Sequence, residues 1–323
     1  MSGNTCISRR AAGQRLGLLG LATITAAANA HTAIAQPDAE PTPPPAPTGD
    51  SLYLASNEYP WSVFYARDGR NFREDLATSL TEVKESGLTG FEPSVHAADD
   101  AVMLARACER AGLGMRSVYT GSSLISESTT RDDVTRIVAM AKAARDAIGM
   151  ELVVTNPTPL GRPRTDAELL ELSRGLNTLG ESLAAVGVRL AYHHHSPEME
   201  CAAREVHHAL AGTRPELVGF CFDTHWVYRG AGNSAVAVYD FLTLYGDRMI
   251  SFHLRQSQND IWTETLTTEG DIDFKRIAEW FRKRGTPYPI LVCEQCPESA
   301  TPHTMNAFEA HLADAAAMRK IFI

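Results

Sequence analysis

Positive charge is the first thing this chain of 323 residues is short of: 30 Lys and Arg stand against 39 Asp and Glu, a formal charge of −9. Nucleic-acid binding needs a basic face to neutralise phosphates, so that class of partner is set aside, and with it an endonuclease-like phosphodiesterase. No Gly-x-Gly-x-x-Gly turn follows the first strand-like run, which argues against a dinucleotide-binding fold. Beyond the N-terminal region no apolar stretch is long enough to span a bilayer. Cysteine is sparse, at positions 6, 108, 201, 221, 293 and 296. Loss of Cys6 with a leader would leave an odd number, against a full disulfide framework. Cys293-Glu-Gln-Cys296 has redox spacing but begins inside an apolar run instead of opening a helix, and Cys221 reads as core packing.

What is present fits a globular protein large enough for a full core, 44% hydrophobic and 21% charged. Ser8-Arg9-Arg10 precedes a mild apolar run, Leu16 to Ala28, and then the small-residue patterns Ala28-Asn29-Ala30 and Ala33-Ile34-Ala35. Residues 1–35 are therefore expected to be a signal peptide of the twin-arginine type, exporting the protein to the periplasm or beyond. Residues 36–50 hold Pro37, Pro41, Pro43, Pro44, Pro45 and Pro47 and read as an extended linker. The fold is expected over 51–323.

From there the pattern repeats. Strand-like runs are Leu52–Ala55, Leu88–Phe91, Gly114–Tyr119, Glu151–Val154, Val188–Tyr192, Val218–Phe222, Met249–Phe252 and Pro289–Cys293. Between them Phe72–Ser86, Ala98–Ala111, Arg131–Ile148, Thr165–Val186, Glu200–Ala211, Ser234–Tyr245 and Asp273–Arg284 carry apolar residues at helical steps, and Met305–Ile323 follows the last strand. Strict alternation means a parallel sheet, and eight units in about 270 residues match a single-domain (β/α)8 TIM barrel.

Barrel active sites lie at the carboxyl ends of the strands. The fifth strand ends in His193, the sixth in Asp223, the seventh in His253 and the eighth in Glu294, at separations of 30, 30 and 41 residues. Four potential ligands thus meet at one mouth. Imidazole and carboxylate together suit Mn, Zn, Co or Fe rather than an all-oxygen calcium site. Alternation along the fifth strand sends His193 and His195 to one side and His194 to the other. A lone carboxylate after an apolar run must be paired or metal-bound, which applies to Asp223 after Val-Gly-Phe-Cys-Phe and to Glu294 after Ile-Leu-Val-Cys. Asp223 could instead cap the following loop.

Five segments resemble the xylose isomerase-like TIM barrels, the sugar phosphate isomerases and epimerases. They are Tyr192-His-His-His-Ser-Pro-Glu198, Phe222-Asp-Thr-His-Trp226 with Gly230-Ala-Gly232, Phe252-His-Leu-Arg255, Glu269-Gly-Asp-Ile-Asp273 and Val292-Cys-Glu-Gln295. The resemblance implies metal ligands on the last four strands, usually Glu, Asp, His and Glu. Asp223, His253 and Glu294 match by position. The fifth-strand position holds His193 instead of Glu, so either His193 binds directly, which its position favours, or Glu198 reaches back. His194 stands for an Asn, Arg255 for a Lys, and Gln256 where an acid is common.

The expected activity is a divalent-metal-dependent isomerase or epimerase of a sugar or keto-sugar, through a metal-stabilised enediolate. Glu198 is the favoured base, with His195 as proton carrier and Glu294 as the other carboxylate. Glu92, Trp226 and Arg255 are expected to bind substrate, with Asn57, Glu58, His96, Tyr119 and Asn156 as weaker candidates. Residues 256–268, with Ile261 and Trp262, read as a loop over the mouth. No basic cluster marks a phosphate site, so a free sugar, keto-sugar or oxidised glycoside is expected. A keto-sugar dehydratase or glycoside-cleaving lyase is the alternative at the same site. A non-catalytic carbohydrate-binding barrel is a third reading, and a homo-oligomer is possible.

Overall fold

The computed structural model describes residues 52–323; the expected signal peptide and linker, and Cys6, lie outside the described residues. Eight barrel strands run β1 Leu54–Asn57, β2 Gly90–Glu92, β3 Ser117–Ser122, β4 Leu152–Pro157, β5 Arg189–Tyr192, β6 Val218–Asp223, β7 Met249–Leu254 and β8 Ile290–Cys293. Around them lie α1 Glu58–Arg67, α2 Leu76–Glu85, α3 Ala98–Ala111, α4 Glu127–Ile148, α5 Asp166–Ala185, α6 Glu200–Ala211, α7 Thr224–Gly230, α8 Ala235–Tyr245, α9 Phe274–Arg284 and α10 Ala307–Phe322. Every barrel pairing is parallel, in the order β2-β1-β8-β7-β6-β5-β4-β3. The β2–β3 seam is thinner, with bridges at Gly90–Gly114 and Ser94–Tyr119. Tyr53 packs into that seam so closely that a Cβ on Gly90 would collide with its hydroxyl and ring. The expected (β/α)8 barrel is the architecture observed.

Two helices were absent from the sequence pattern. α1 buries Glu58 on the same face as Pro60, Trp61, Phe64 and Tyr65 and exposes Tyr59, so polar and apolar residues do not sort by face and no clean apolar stripe marks it. α7 is only seven residues long and starts directly from β6. α4 begins four residues before the expected Arg131, because Ser126 supplies a capping box with Thr129.

The larger core fills the space between strands and helices. Inside the barrel a small apolar floor holds Ala55, Leu152, Val154, Ala191, Cys221, Ile290 and Val292. Side chains two residues apart on a strand share a face. Above Ala191, Cys221, Ser251 and Val292 the same faces therefore carry His193, Asp223, His253 and Glu294. A polar layer thus rests on a dry floor, at the end where the helices begin.

Candidate metal centre

One ligand atom from each of His193, Asp223, His253 and Glu294 lies within 4.8 Å of the other three, and all four residues are buried. Their hydrogen-bonding capacity is incompletely used. His193 Nδ1 and Nε2, Asp223 Oδ2, His253 Nδ1 and Glu294 Oε2 are buried without a hydrogen bond. Buried polar atoms are normally partnered, so this cluster of lone pairs fits a cation. His253 Nδ1 stands 2.6 Å from Glu294 Oε2 without hydrogen-bond alignment. Two nitrogens and two carboxylate oxygens suit a transition metal such as zinc, cobalt, iron or manganese.

Each ligand is anchored from behind. Asp223 caps α7: its Oδ1 accepts from His225 N and Trp226 N, both at 3.0 Å, which leaves Oδ2 for the site. The capping and ligand readings of Asp223 are therefore compatible, one oxygen each. His253 Nε2 lies 2.9 Å from Glu92 Oε1. Burial opposes protonation of His253, but Cys221, Glu294 and Glu92 around it overcome that and raise its pKa well above the usual value. Burial likewise opposes ionisation of Glu294, yet Arg255 and His253 hold its carboxyl well below the usual range. A metal ion would replace a proton between these groups.

The centre opens into a cavity of about 200 Å³ lined by Asn57, Tyr59, Ser94, Tyr119, His195, Trp226, Arg255 and Glu294. That is below the usual range of about 300–1,000 Å³ for ligand sites, room for one sugar ring and little more. His195 is half-buried there, its ring 4.8 Å from that of His193 and 5.3 Å from that of Trp226. Burial lowers its pKa, so its imidazole is neutral near pH 7. Arg255 lies over both Trp226 and Trp262, 5.0 and 5.1 Å from the ring centroids. It reaches Asp223 Oδ2 at 3.2 Å and Glu294 Oε1 at 2.5 Å.

Several expected site residues stand elsewhere. Glu198 is not at the cavity. It is buried in the turn Ser196–Met199, and its Oε2 accepts His195 N at 2.8 Å. Its charged surroundings are Glu205 and Arg164 on the outer side of β5, so geometry does not favour it as base or ligand. Glu92 is fully buried below the mouth, with both oxygens taken by Asn57, Ser117 and His253, so it has none to offer substrate. Gln256, where an acid is common, holds a loop, its amide bonded to both backbone groups of Ile272. Glu58 is paired with Arg73, His96 is exposed, and the Asn156 amide donates to Pro157 O. His194 faces away, packed on Phe220 and Phe241.

Trp262, which the sequence only hinted at, is buried against Trp226 and Arg255. It sits on a hairpin, Ser257–Gln258 with Ile261–Trp262, that turns at Asn259 and Asp260 and is pinned by Asp271. His225, also unmarked beforehand, packs its ring 4.5 Å from that of Trp262. Among the described residues no helix is long and apolar enough to cross a membrane.

Residues 80–320, more than half of the chain, match the family model described as xylose isomerase-like TIM barrel. The inosose dehydratase of Bacillus licheniformis is 30% identical over 156 residues, 43% of this chain and 51% of that enzyme. The chain spans about half the length of the first curated relatives it matches. Among solved structures, a 3-keto-D-glucoside 4-epimerase from E. coli superposes with a TM-score of 0.60 at 17% identity, over 84% of this chain and all of that one. The IOLI protein with a bound zinc atom gives 0.59 at 15% identity, over 84% and 98%. At these identities the structural likeness is one of fold.

Proposed function

The chain belongs to the xylose isomerase-like TIM barrel family, and on that premise we propose that it is a divalent-metal-dependent isomerase or epimerase of a sugar or keto-sugar. One observation carries this reading: the ligand atoms of His193, Asp223, His253 and Glu294 converge below a cavity the size of a sugar ring. These four residues would hold the metal. When bound, it supplies Lewis acidity at a substrate oxygen and positive charge beside developing negative charge.

The protein's own groups do the rest. His195, neutral and facing the cavity, takes a proton from the carbon next to the carbonyl and returns it to the neighbouring carbon for isomerisation, while protonation of the opposite face by solvent gives the epimer. Glu294 is held ionised by Arg255 and His253, which makes it a weaker base than His195. Trp226 lines the cavity, and Trp262 packs edge-on against it from the buried side. Arg255 is the one cationic group among the described residues lining the cavity, and two carboxylates already balance it. That supports an uncharged sugar over a sugar phosphate.

Dehydration is the second reading, favoured by the inosose dehydratases among the relatives. It shares the proton abstraction but then loses a hydroxyl as water. Metal-loaded protein incubated with single-ring keto-sugars in D2O separates these readings. Deuterium next to the carbonyl without loss of water supports the isomerase or epimerase, and a product lighter by one water supports the dehydratase. Stoichiometric metal with no exchange in any sugar leaves a non-catalytic carbohydrate-binding barrel. Export through a leader over residues 1–35 belongs to the same proposal. Cell fractionation with Arg9→Lys and Arg10→Lys variants tests it.

A further inference from the structure

We propose that Glu92 is a positioning residue for the metal centre, holding His253 in the tautomer that leaves Nδ1 for the ion. The inference rests on the metal-centre reading above. It starts from a group whose role is certain, the Tyr59 amide, which can only donate. Asn57 Oδ1 accepts it at 2.8 Å, so Asn57 Nδ2 faces Glu92 and donates to Oε1 at 2.9 Å. Ser117 Oγ donates to Oε2 at 2.5 Å. His253 Nε2 is 2.9 Å from Oε1, and a carboxylate offers only lone pairs, so Nε2 carries the proton. Nδ1 faces the Glu294 carboxylate, and the proton it carries there is the one an ion would replace.

Asn57, Glu92, Ser117 and His253 are all buried. Among the described residues no Lys or Arg pairs with Glu92, and His253 is its one ion-pair partner. A buried carboxylate costs stability unless it is well satisfied. Here what it satisfies is a candidate ligand, from a strand 161 residues away. Outer partners of this kind set ligand orientation and basicity, and their loss typically weakens metal binding about 10–100-fold.

The test is Zn²⁺ affinity of the full chain by chelator competition, with ¹⁵N NMR of the histidine rings. Expected are an affinity loss of about 10–100-fold in Glu92→Ala and partial recovery in Glu92→Gln, whose carbonyl oxygen still accepts Nε2–H. The zinc-loaded parent should carry its His253 proton on Nε2, and metal-free Glu92→Ala should lose the parent's Nε2–H signal at that ring. Unchanged affinity in Glu92→Ala, or a His253 proton on Nδ1 in the loaded parent, overturns the proposal. Should Glu92→Ala fail to fold, Ser117→Ala removes one donor only, and a smaller loss in the same direction is required. A parent that binds no zinc, cobalt, iron or manganese overturns the metal-centre reading itself, a different outcome from a loaded parent indifferent to Glu92.

Discussion

Glu198 Oε2 accepts the backbone N–H of His195 at 2.8 Å, so the carboxylate buttresses the loop that presents the imidazole. Only His195 of the two lines the cavity. Replacing His195 by Gln is expected to lower kcat by about 10²–10⁴-fold, the usual contribution of a positioned acid or base, with metal content kept. Glu198→Gln is expected to cost less than about tenfold, since it removes a buttress and no reacting group. Steady-state kinetics with metal analysis decides this, and the reverse order of effects would restore Glu198 as base.

Glu198 also makes stability depend on pH. Burial pushes its carboxyl up from 4.5 to about 7. Between those values the folded protein holds a proton that the unfolded chain has released. The stability it contributes is thus present below about pH 4.5 and lost as pH rises through 7. Glu198→Gln removes that titration. Its unfolding free energy relative to the parent should rise by about 1.4 kcal/mol per pH unit across the window and level off above it. Denaturant melts at pH 5, 6, 7 and 8 check this; a difference independent of pH would refute it.

His194 should be replaceable. Both its ring nitrogens are buried without a hydrogen bond, among Phe220 and Phe241. An unpartnered buried polar group costs about 1–3 kcal/mol. His194→Leu is therefore expected to be neutral or stabilising, with metal binding intact. A loss of more than about 2 kcal/mol or of bound metal would mean that the ring has a role its packing conceals.

The barrel seam gives a separate check on the fold. A Cβ at Gly90 would meet the Tyr53 ring, and overpacking of this kind typically costs about 1–3 kcal/mol. Gly90→Ala should be destabilised by about that much, and Tyr53→Ala in the same chain should recover part of it. Additive losses in the double variant would show that the two do not meet.

What the sequence made legible is what alternation and strand ends encode. Asp223, His253 and Glu294 each follow a buried apolar run, and period two separates His193 and His195 from His194. What stayed hidden depends on contacts or turns without a local signature. Glu198 lies five residues beyond His193, but one tight turn carries it behind the strand. Glu92 looked like a mouth residue because its partner His253 belongs to a strand far along the chain. α1 was missed because it buries a glutamate and exposes an aromatic, and Trp262 because a short hairpin brings it against Trp226 and Arg255.

His193 stands where the resemblance to the family implies a carboxylate, and that exchange has a chemical direction. Replacing a negative oxygen donor by a neutral nitrogen makes the cluster less negative and favours borderline metals over hard ones. In the parent, two carboxylates, Asp223 and Glu294, face the Arg255 guanidinium. A third carboxylate would add negative charge and an oxygen donor. His193→Glu is therefore expected to retain metal binding while shifting preference from Zn²⁺ toward Mn²⁺, by about tenfold or more in the ratio of affinities. His193→Ala should weaken both ions. Competition dialysis on apo protein measures the ratio. If His193→Ala binds both as tightly as the parent, His193 is no ligand, and the centre is built from Asp223, His253 and Glu294 alone.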